Sequence, residues 1–170
     1  MRELIGTIFI DGMKESDWEE VREIYIEGIN TGNATFDTTP PTKEEWNKKY
    51  VEDCRLVIRE AGKVIGWAAL LPISTKDAFY GVAELSIYLS SSSVGKGIGK
   101  KLLDALIKES EANGFWTLQA GVFPENEASI KLHKSLGFRE VGIRESLGKL
   151  DGIWRDVLLM ERRSKVVGID

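Results

Sequence analysis

The hydrophobic positions of this chain follow two periods, one typical of helices and one typical of strands. Apolar residues return every three or four positions where one face of a helix would be buried, and they alternate or run together where a strand would be buried. Helical spacing occurs in four segments: 15–30, 42–50, 100–114 and 126–138. Strand-like patterns occupy seven segments: 4–13, the two arms of a hairpin within 54–73, 82–90, 115–123, and two stretches within 139–163.

The order of these segments predicts a mixed α/β architecture. Hairpins beside βαβ units imply a mixed sheet with helices on its faces. Ser16 is the expected N-cap of the first helix, and Thr42 with Glu45 forms a predicted capping box at the start of the second. The bulky apolar residues Trp46 and Trp67 are assigned to packing rather than to chemistry.

Size and charge narrow the possible classes of protein. The 170 residues predict a single domain, expected over 1–163 with a tail at 164–170. A net charge of −4 argues against a general nucleic-acid binder, and the single cysteine excludes a disulfide framework or a multi-cysteine zinc site within the chain. With no apolar run of about 18 residues and no signal-peptide pattern, we expect a cytoplasmic protein with no membrane, nucleic-acid or metal partner.

A glycine-rich turn precedes the third predicted helix. Its segment is Gly95, Lys96, Gly97, Ile98, Gly99 and Lys100. Free N–H groups at a helix start, together with the helix dipole and nearby lysines, make an anion site. The spacing fits neither the dinucleotide fingerprint nor the Walker loop. A simple tight turn with solvated lysines is the alternative interpretation.

Two sequence motifs resemble those of the GNAT N-acetyltransferases. "VGKGIGKKLL" is similar to the family's acetyl-CoA pyrophosphate loop, [QR]-x-x-G-x-[GA], with Val94 at the position where Gln or Arg is usual. "NEASIKLHKSLGF" is similar to its second signature, N-x-x-[SA]-x-x-[LFY]-[YH]-x-x-x-G-F. The resemblance implies the GNAT fold, an α+β (mixed α/β) fold with a central, mixed, mostly antiparallel, twisted sheet of about seven strands flanked by about four helices.

Further segments resemble the phosphinothricin/methionine sulfoximine acetyltransferase group within that family. These segments are "GNATF" (32–36), "VAELSIYLS" (82–90), "SIKLHKSLGF" (129–138) and "GIWRDVLLM" (152–160). The resemblance implies transfer of an acetyl group from acetyl-CoA to the α-amino group of a small amino-acid-like substrate, often by a homodimer.

Glu84 and His133 are the candidate catalytic residues. Alternation along a strand puts Glu84, Ser86 and Tyr88 on one face. The resemblance makes Glu84 the general base, whereas the pattern alone also fits a solvent-facing or salt-bridged glutamate. His133 lies where the family commonly has a tyrosine as proposed general acid; it either assists proton transfer or packs against the cofactor with no proton role.

The cofactor residues follow from the resemblance. Asn126 is expected against the pantetheine arm, although it also fits the N-cap of its helix, and Ser129 is placed similarly. Ile87, Tyr88 and Leu89 are expected to meet pantetheine through their backbone groups.

The substrate residues are predicted from three places in the chain. Thr35 and Phe36 are expected to line the acceptor pocket. Lys76 is expected to pair with a substrate carboxylate, with a solvated loop lysine as the alternative. Lys149 and Trp154 are expected to close the pocket or to form a dimer contact.

Two other functions stay open at this point. One is an acetyltransferase acting on a protein N-terminus or a lysine side chain. The other is a non-catalytic acyl-CoA-binding sensor, which the presence of Glu84 and Asn126 disfavours.

Overall fold

The sheet and its helices have the arrangement that the sequence predicts. The structure, a computed structural model, describes residues 7–170. Within them, seven strands form one sheet: β1 (Ile8–Gly12), β2 (Leu56–Glu60), β3 (Lys63–Pro72), β4 (Val82–Leu89), β5 (Thr117–Val122), β6 (Arg139–Leu150) and β7 (Ile153–Arg163). Four α-helices accompany it: α1 (Trp18–Thr31), α2 (Lys43–Lys49), α3 (Ile98–Ala112) and α4 (Glu127–Ser135). The mixed α+β fold class is therefore confirmed; residues 4–6 of the first predicted strand lie outside the described residues.

The sheet is antiparallel except at its centre. Its strand order is β1-β2-β3-β4-β5-β7-β6, and only β4 and β5 run parallel. These two strands pair over three positions, from Val82 opposite Thr117 to Glu84 opposite Gln119. Beyond Glu84, β4 remains paired with β3 but no longer with β5. The two central strands therefore diverge, and a gap opens in the middle of the sheet.

Each face of the sheet is covered by its own hydrophobic core. Helices α1 and α2 pack on one face through an aromatic cluster in which Trp46 and Trp67 are fully buried, as predicted. Helix α3 packs on the other face with aliphatic residues such as Leu102 and Leu106, and α4 adds Ile130. Because both faces are covered, the gap between β4 and β5 is enclosed by helices and loops rather than fully open to solvent.

The start of α1 differs from the prediction. Ser16 lies in a short 3₁₀ turn, and α1 begins at Trp18 with no side-chain cap. Asp17 organises this turn instead: its carboxylate accepts the backbone N–H of Lys14 at 2.8 Å and two guanidinium N–H groups of Arg59 at 2.8 Å each. The Ser16 cap is wrong because the carboxylate next to it gains a buried ion pair that a hydroxyl could not form.

The capping box predicted at the start of α2 is confirmed. The Thr42 hydroxyl accepts the N–H of Glu45 at 3.1 Å, and the Glu45 carboxylate accepts the N–H of Thr42 at 2.8 Å. Gly114 and Gly137 follow α3 and α4 with φ of +86° and +93°, a region that favours glycine. No helix within residues 7–170 is long and apolar enough to cross a membrane.

The tail at 164–170 lies against the end of α3. The Ser164 hydroxyl donates to the Glu111 carboxylate at 2.7 Å and accepts the N–H of Val167 at 3.0 Å. The Arg163 guanidinium donates to the carbonyl of Gly168 at 2.6 Å. These bonds fold the tail back on the domain.

Candidate active site

A cleft of about 350 Å³ lies where β4 and β5 diverge. Its walls come from the loop after α1, the end of α2, strands β4 to β7, and the start of α4. Eight of the predicted site residues line it: Thr35, Phe36, Glu84, Ile87, Tyr88, Asn126, Ser129 and His133. The topology thus brings together residues that are about 100 positions apart in the chain, at the one place where the sheet has a gap.

Glu84 sits at the closed end of the gap. It belongs to the last paired position of β4 and β5, and its Oε1 accepts the side-chain N–H of Gln119 at 3.1 Å. Its polar partner is therefore a neutral amide. A half-buried carboxylate held by a neutral donor keeps its lone pairs available to a ligand, which suits proton abstraction better than a salt-bridged carboxylate would.

The other two residues on this face of β4 are held by aromatic side chains. The Ser86 hydroxyl accepts the phenolic proton of Tyr50 at 2.9 Å. The Tyr88 ring stacks on Trp67 at 5.0 Å and on Tyr25 at 4.9 Å between centroids. Burial raises the pKa of Tyr88 to about 12, so the phenol is neutral near pH 7. These contacts support the cleft side of β4 beyond the point where pairing with β5 ends.

His133 is buried, and one of its ring nitrogens has no partner. Its Nδ1 lies 2.7 Å from the carbonyl oxygen of Ser129, which can only accept, so Nδ1 carries the proton. Nε2 then has an unshared electron pair, and it has no hydrogen-bond partner among residues 7–170. Burial lowers the pKa of the ring, and the bond to Ser129 only partly opposes this effect. A neutral His133 therefore has a buried proton acceptor, not a donor, at Nε2.

Asn126 joins α4 to the loop after α1. Its Oδ1 accepts the N–H of Ser129 at 3.2 Å, which confirms the N-cap interpretation. Its Nδ2 donates to the carbonyl of Asn33 at 3.3 Å. Both ends of the amide are thus used inside the protein, and contact with pantetheine stays a prediction.

The glycine turn forms an open start to α3. Helix α3 begins at Ile98, two residues before the predicted start, because Gly97 caps it with φ of +76°. Gly95 also has a positive φ of +82°, and a Cβ at either glycine would meet no atom within 4 Å. Lys96 and Lys100 are exposed beside the free N–H groups of the first turn. An open, cationic helix start fits a diphosphate.

Gly99 has a different role from the two glycines before it. A Cβ there would lie 3.2 Å from Leu89 and 3.3 Å from Leu132. Gly99 therefore lets α3, β4 and α4 approach closely beside the cleft. Leu89 lies beside Gly99 and does not line the cleft.

Three predicted substrate residues lie outside the cleft lining. Lys76 is exposed at the start of a short turn before β4. Lys149 and Trp154 face each other across the β6–β7 hairpin, with Lys149 Nζ 5.2 Å from the indole centroid. Trp154 is 59% exposed, so its indole faces solvent rather than the cleft. Their roles remain predictions.

Sequence patterns missed three cations near the site. Lys49 at the end of α2 and Arg144 on β6 both line the cleft. Arg155 on β7 binds the loop after α1. Helix-end and edge-strand cations are ordinarily solvated, so only the tertiary structure distinguishes these from other surface charges. Within residues 7–170, no group of three or more acidic, histidine or cysteine side chains is placed to hold a metal ion.

Comparison with known proteins agrees with this geometry. Residues 13–138 match the acetyltransferase (GNAT) family. The chain is 30% identical to a phosphinothricin N-acetyltransferase of Alcaligenes faecalis over 88% of this chain and 79% of that protein. It is 29% identical to an L-methionine sulfoximine/L-methionine sulfone acetyltransferase of Pseudomonas paraeruginosa over 86% of this chain and 88% of that protein.

A solved structure extends the match to three dimensions. The phosphinothricin acetyltransferase of Sinorhizobium meliloti, in complex with AcCoA, superimposes with a TM-score of 0.82 at 31% identity, covering 96% of this chain and 97% of that chain. The chain belongs to the acetyltransferase (GNAT) family and is an acetyl-CoA-dependent enzyme of that family.

Proposed function

We propose that the protein transfers the acetyl group of acetyl-CoA to the α-amino group of a small amino-acid-like acceptor of the phosphinothricin or methionine sulfoximine type. The observation that carries the proposal is the position of Glu84, at the closed end of the gap between β4 and β5 and in the wall of the cleft. The names of the relatives support the class of acceptor.

The chain offers binding groups for each part of acetyl-CoA, which supplies the activated acetyl group. The free N–H groups at the start of α3, with Lys96 and Lys100, hold the diphosphate. The edge of β4 that no longer pairs with β5, at residues 87–89, offers backbone groups to the pantetheine arm. A backbone N–H of this edge also polarises the thioester carbonyl.

Proton transfer is divided between two residues. Glu84 accepts the proton that the acceptor ammonium must lose before its nitrogen can attack. As the new N–C bond forms, the C–S bond of the thioester would break, and the CoA thiolate would leave and take a proton from water. His133 Nε2 is a second proton acceptor, because Nδ1 of the same ring is committed to the Ser129 carbonyl. A direct role as a general acid would require His133 to gain a proton first, and its lowered pKa opposes this.

The acceptor lies against the loop that carries Thr35 and Phe36. Phe36 forms an apolar wall and contacts Phe123 with ring centroids 5.0 Å apart. Lys49 and Arg144 give the cleft cationic groups that attract the acidic groups of the acceptor. Lys76 lies in the segment between β3 and β4, and it remains a candidate partner for the carboxylate of the acceptor if this segment moves toward the cleft.

The protein functions as a homodimer that joins along β6. This strand is at the edge of the sheet and pairs only with β7. Its exposed apolar residues include Ile143 at 56%, and β7 adds the exposed Trp154. Long apolar edges of this kind ordinarily meet a partner. Light scattering should therefore report a dimer that Ile143→Lys dissociates and that Ile169→Lys, at a tail position exposed at 68%, leaves intact.

The function is tested by thiol release from acetyl-CoA over a panel of acceptors. The panel contains phosphinothricin, methionine sulfoximine, methionine sulfone, common amino acids, polyamines and short peptides. Saturable turnover of the first three supports the proposal. Turnover of peptides alone would move the acceptor to a protein N-terminus or lysine, and CoA binding without any turnover would indicate a sensor.

A further inference from the structure

Arg155 connects three separate parts of the molecule. From β7, its Nη1 donates to the carbonyl of Gly32 at 2.9 Å, and its Nη2 donates to Asn33 Oδ1 at 2.8 Å. Nη2 also lies 2.9 Å from a carboxylate oxygen of Glu125. The guanidinium covers the ring of Phe123, with Cζ 4.1 Å from the centroid. The side chain is largely buried by these contacts.

The loop that Arg155 contacts is the one that lines the acceptor side of the cleft. Residues 32–37, here called the acceptor loop, contain no helix or strand, so their position depends on the bonds that they make. The far end of the loop is held by Asp37, which accepts the phenolic proton of Tyr25. Between the two ends lie Thr35 and Phe36, both in the cleft wall.

Asn33 is held from two sides. Its side chain accepts from Arg155, and its carbonyl accepts from Asn126 Nδ2 at 3.3 Å. Asn126 caps α4, the helix that carries His133. Asn33 therefore joins the acceptor loop to the start of α4, and Arg155 holds the same residue through its side chain.

We propose that Arg155 is a positioning residue that sets the affinity for the acceptor by fixing the acceptor loop through Gly32 and Asn33. The inference rests on the proposed function, because it takes the loop to be a wall of the acceptor site. A guanidinium is suited to this task, since its planar donors reach two acceptors in fixed directions, whereas an ammonium is a single flexible point charge.

The ion pair with Glu125 does not explain the position of Arg155. The Glu125 side chain is 58% exposed, and an exposed partner in water contributes little. The two bonds from Arg155 to the acceptor loop are partly buried and directional, so they account for the position of the loop. Glu125→Gln is therefore the matched control: it removes the charge partner and leaves both loop bonds in place.

The test compares Arg155→Lys, Asn33→Ala, their double variant and Glu125→Gln. In the free protein, hydrogen exchange of the peptide covering residues 32–37 should become at least about tenfold faster in Arg155→Lys, as expected for a loop that loses directional, charge-assisted bonds. Exchange in β3 should not change. Glu125→Gln should match the wild type.

Steady-state kinetic constants then distinguish a positioning role of Arg155 from a general loss of structure. In Arg155→Lys, KM for whichever acceptor is turned over should rise by about tenfold or more, while KM for acetyl-CoA stays near the wild-type value. Asn33→Ala should reproduce part of this rise, and the double variant should add little to Arg155→Lys, since both act on one contact.

The outcomes distinguish this inference from the proposed function. Faster exchange confined to residues 32–37 without turnover of any small acceptor would support the loop contact and contradict the choice of acceptor. Unchanged loop exchange, or faster exchange throughout the sheet, would overturn the positioning role. An equal rise in KM for both substrates would overturn it as well.

Discussion

The replacement Glu84→Gln tests the chemistry most directly. Glutamine has nearly the same shape as glutamate and keeps an oxygen that can accept the N–H of Gln119, now at 3.1 Å from Oε1. The change therefore removes the proton acceptor while it leaves the end of the gap between β4 and β5 intact. Binding of CoA should be unaffected, since its proposed contacts lie farther along β4 and at the start of α3.

The size of the effect follows from the place of Glu84. A positioned general base contributes about 10²- to 10⁴-fold to a rate, or roughly 3–5 kcal/mol of barrier at about 1.4 kcal/mol per tenfold. Because Glu84 is only partly buried in the wall of the cleft, water can take over some of the proton transfer. We therefore expect the lower part of that range, a loss of about 100-fold in kcat at neutral pH.

The assay is thiol release with a saturating acceptor, over about pH 6 to 9, beside calorimetric titration with CoA. The variant should regain activity as the pH rises, because more of the acceptor amine is then already deprotonated. Gln119→Met is the control: it removes the amide that orients Glu84 but keeps the carboxylate, so its loss should be smaller. A Glu84→Gln enzyme that matches the wild type over the whole pH range would remove Glu84 from the mechanism.

Three further results are expected. The single histidine makes NMR unambiguous: burial should put the titration midpoint of His133 below 6.5, and a midpoint above that value would contradict a neutral acceptor in the cleft. Gly97→Ala should weaken CoA binding about tenfold, because the substitution strains the backbone by ~1–2 kcal/mol at the start of α3. Gly62→Ala is the control: it places the same strain at a similar φ of +81° in the β2–β3 turn and should leave CoA binding unchanged. If the two variants bind CoA with equal affinity, the diphosphate site is contradicted. Asp17→Asn should lower the free energy of unfolding by about 1.5–3 kcal/mol, because it removes the buried charge partner of Arg59 and leaves the partly exposed carboxylate of Asp11, 3.3 Å from Arg59 Nε. Burial alone would raise the pKa of Asp17, but the bonds from Arg59 and Lys14 hold that pKa below its ordinary value. The stability that the ionised Asp17 contributes is therefore present above about pH 4 and is lost as the pH falls further. An Asp17→Asn variant as stable as the wild type near neutral pH would refute the role of the pair.

The sequence alone determined those features that depend on neighbours within a few positions. Alternation along 82–89 correctly put Glu84 on one face with Ser86 and Tyr88. The Thr42 capping box was also predicted correctly, since a capping box needs only a partner residue three positions away. The two motifs then indicated the family before any contact was known.

Only the tertiary structure decided which distant residues meet. Asp17 and Arg59 are 42 positions apart, and Arg155 and Gly32 are 123 apart, yet each pair forms direct hydrogen bonds. Neither periodicity nor spacing carries information about such pairs, because they depend on strand order and on the point where β4 and β5 separate. The same point of separation makes the cleft. The sequence therefore determined the chemistry available at Glu84 and His133, and the divergence of two central strands decided where that chemistry meets a ligand.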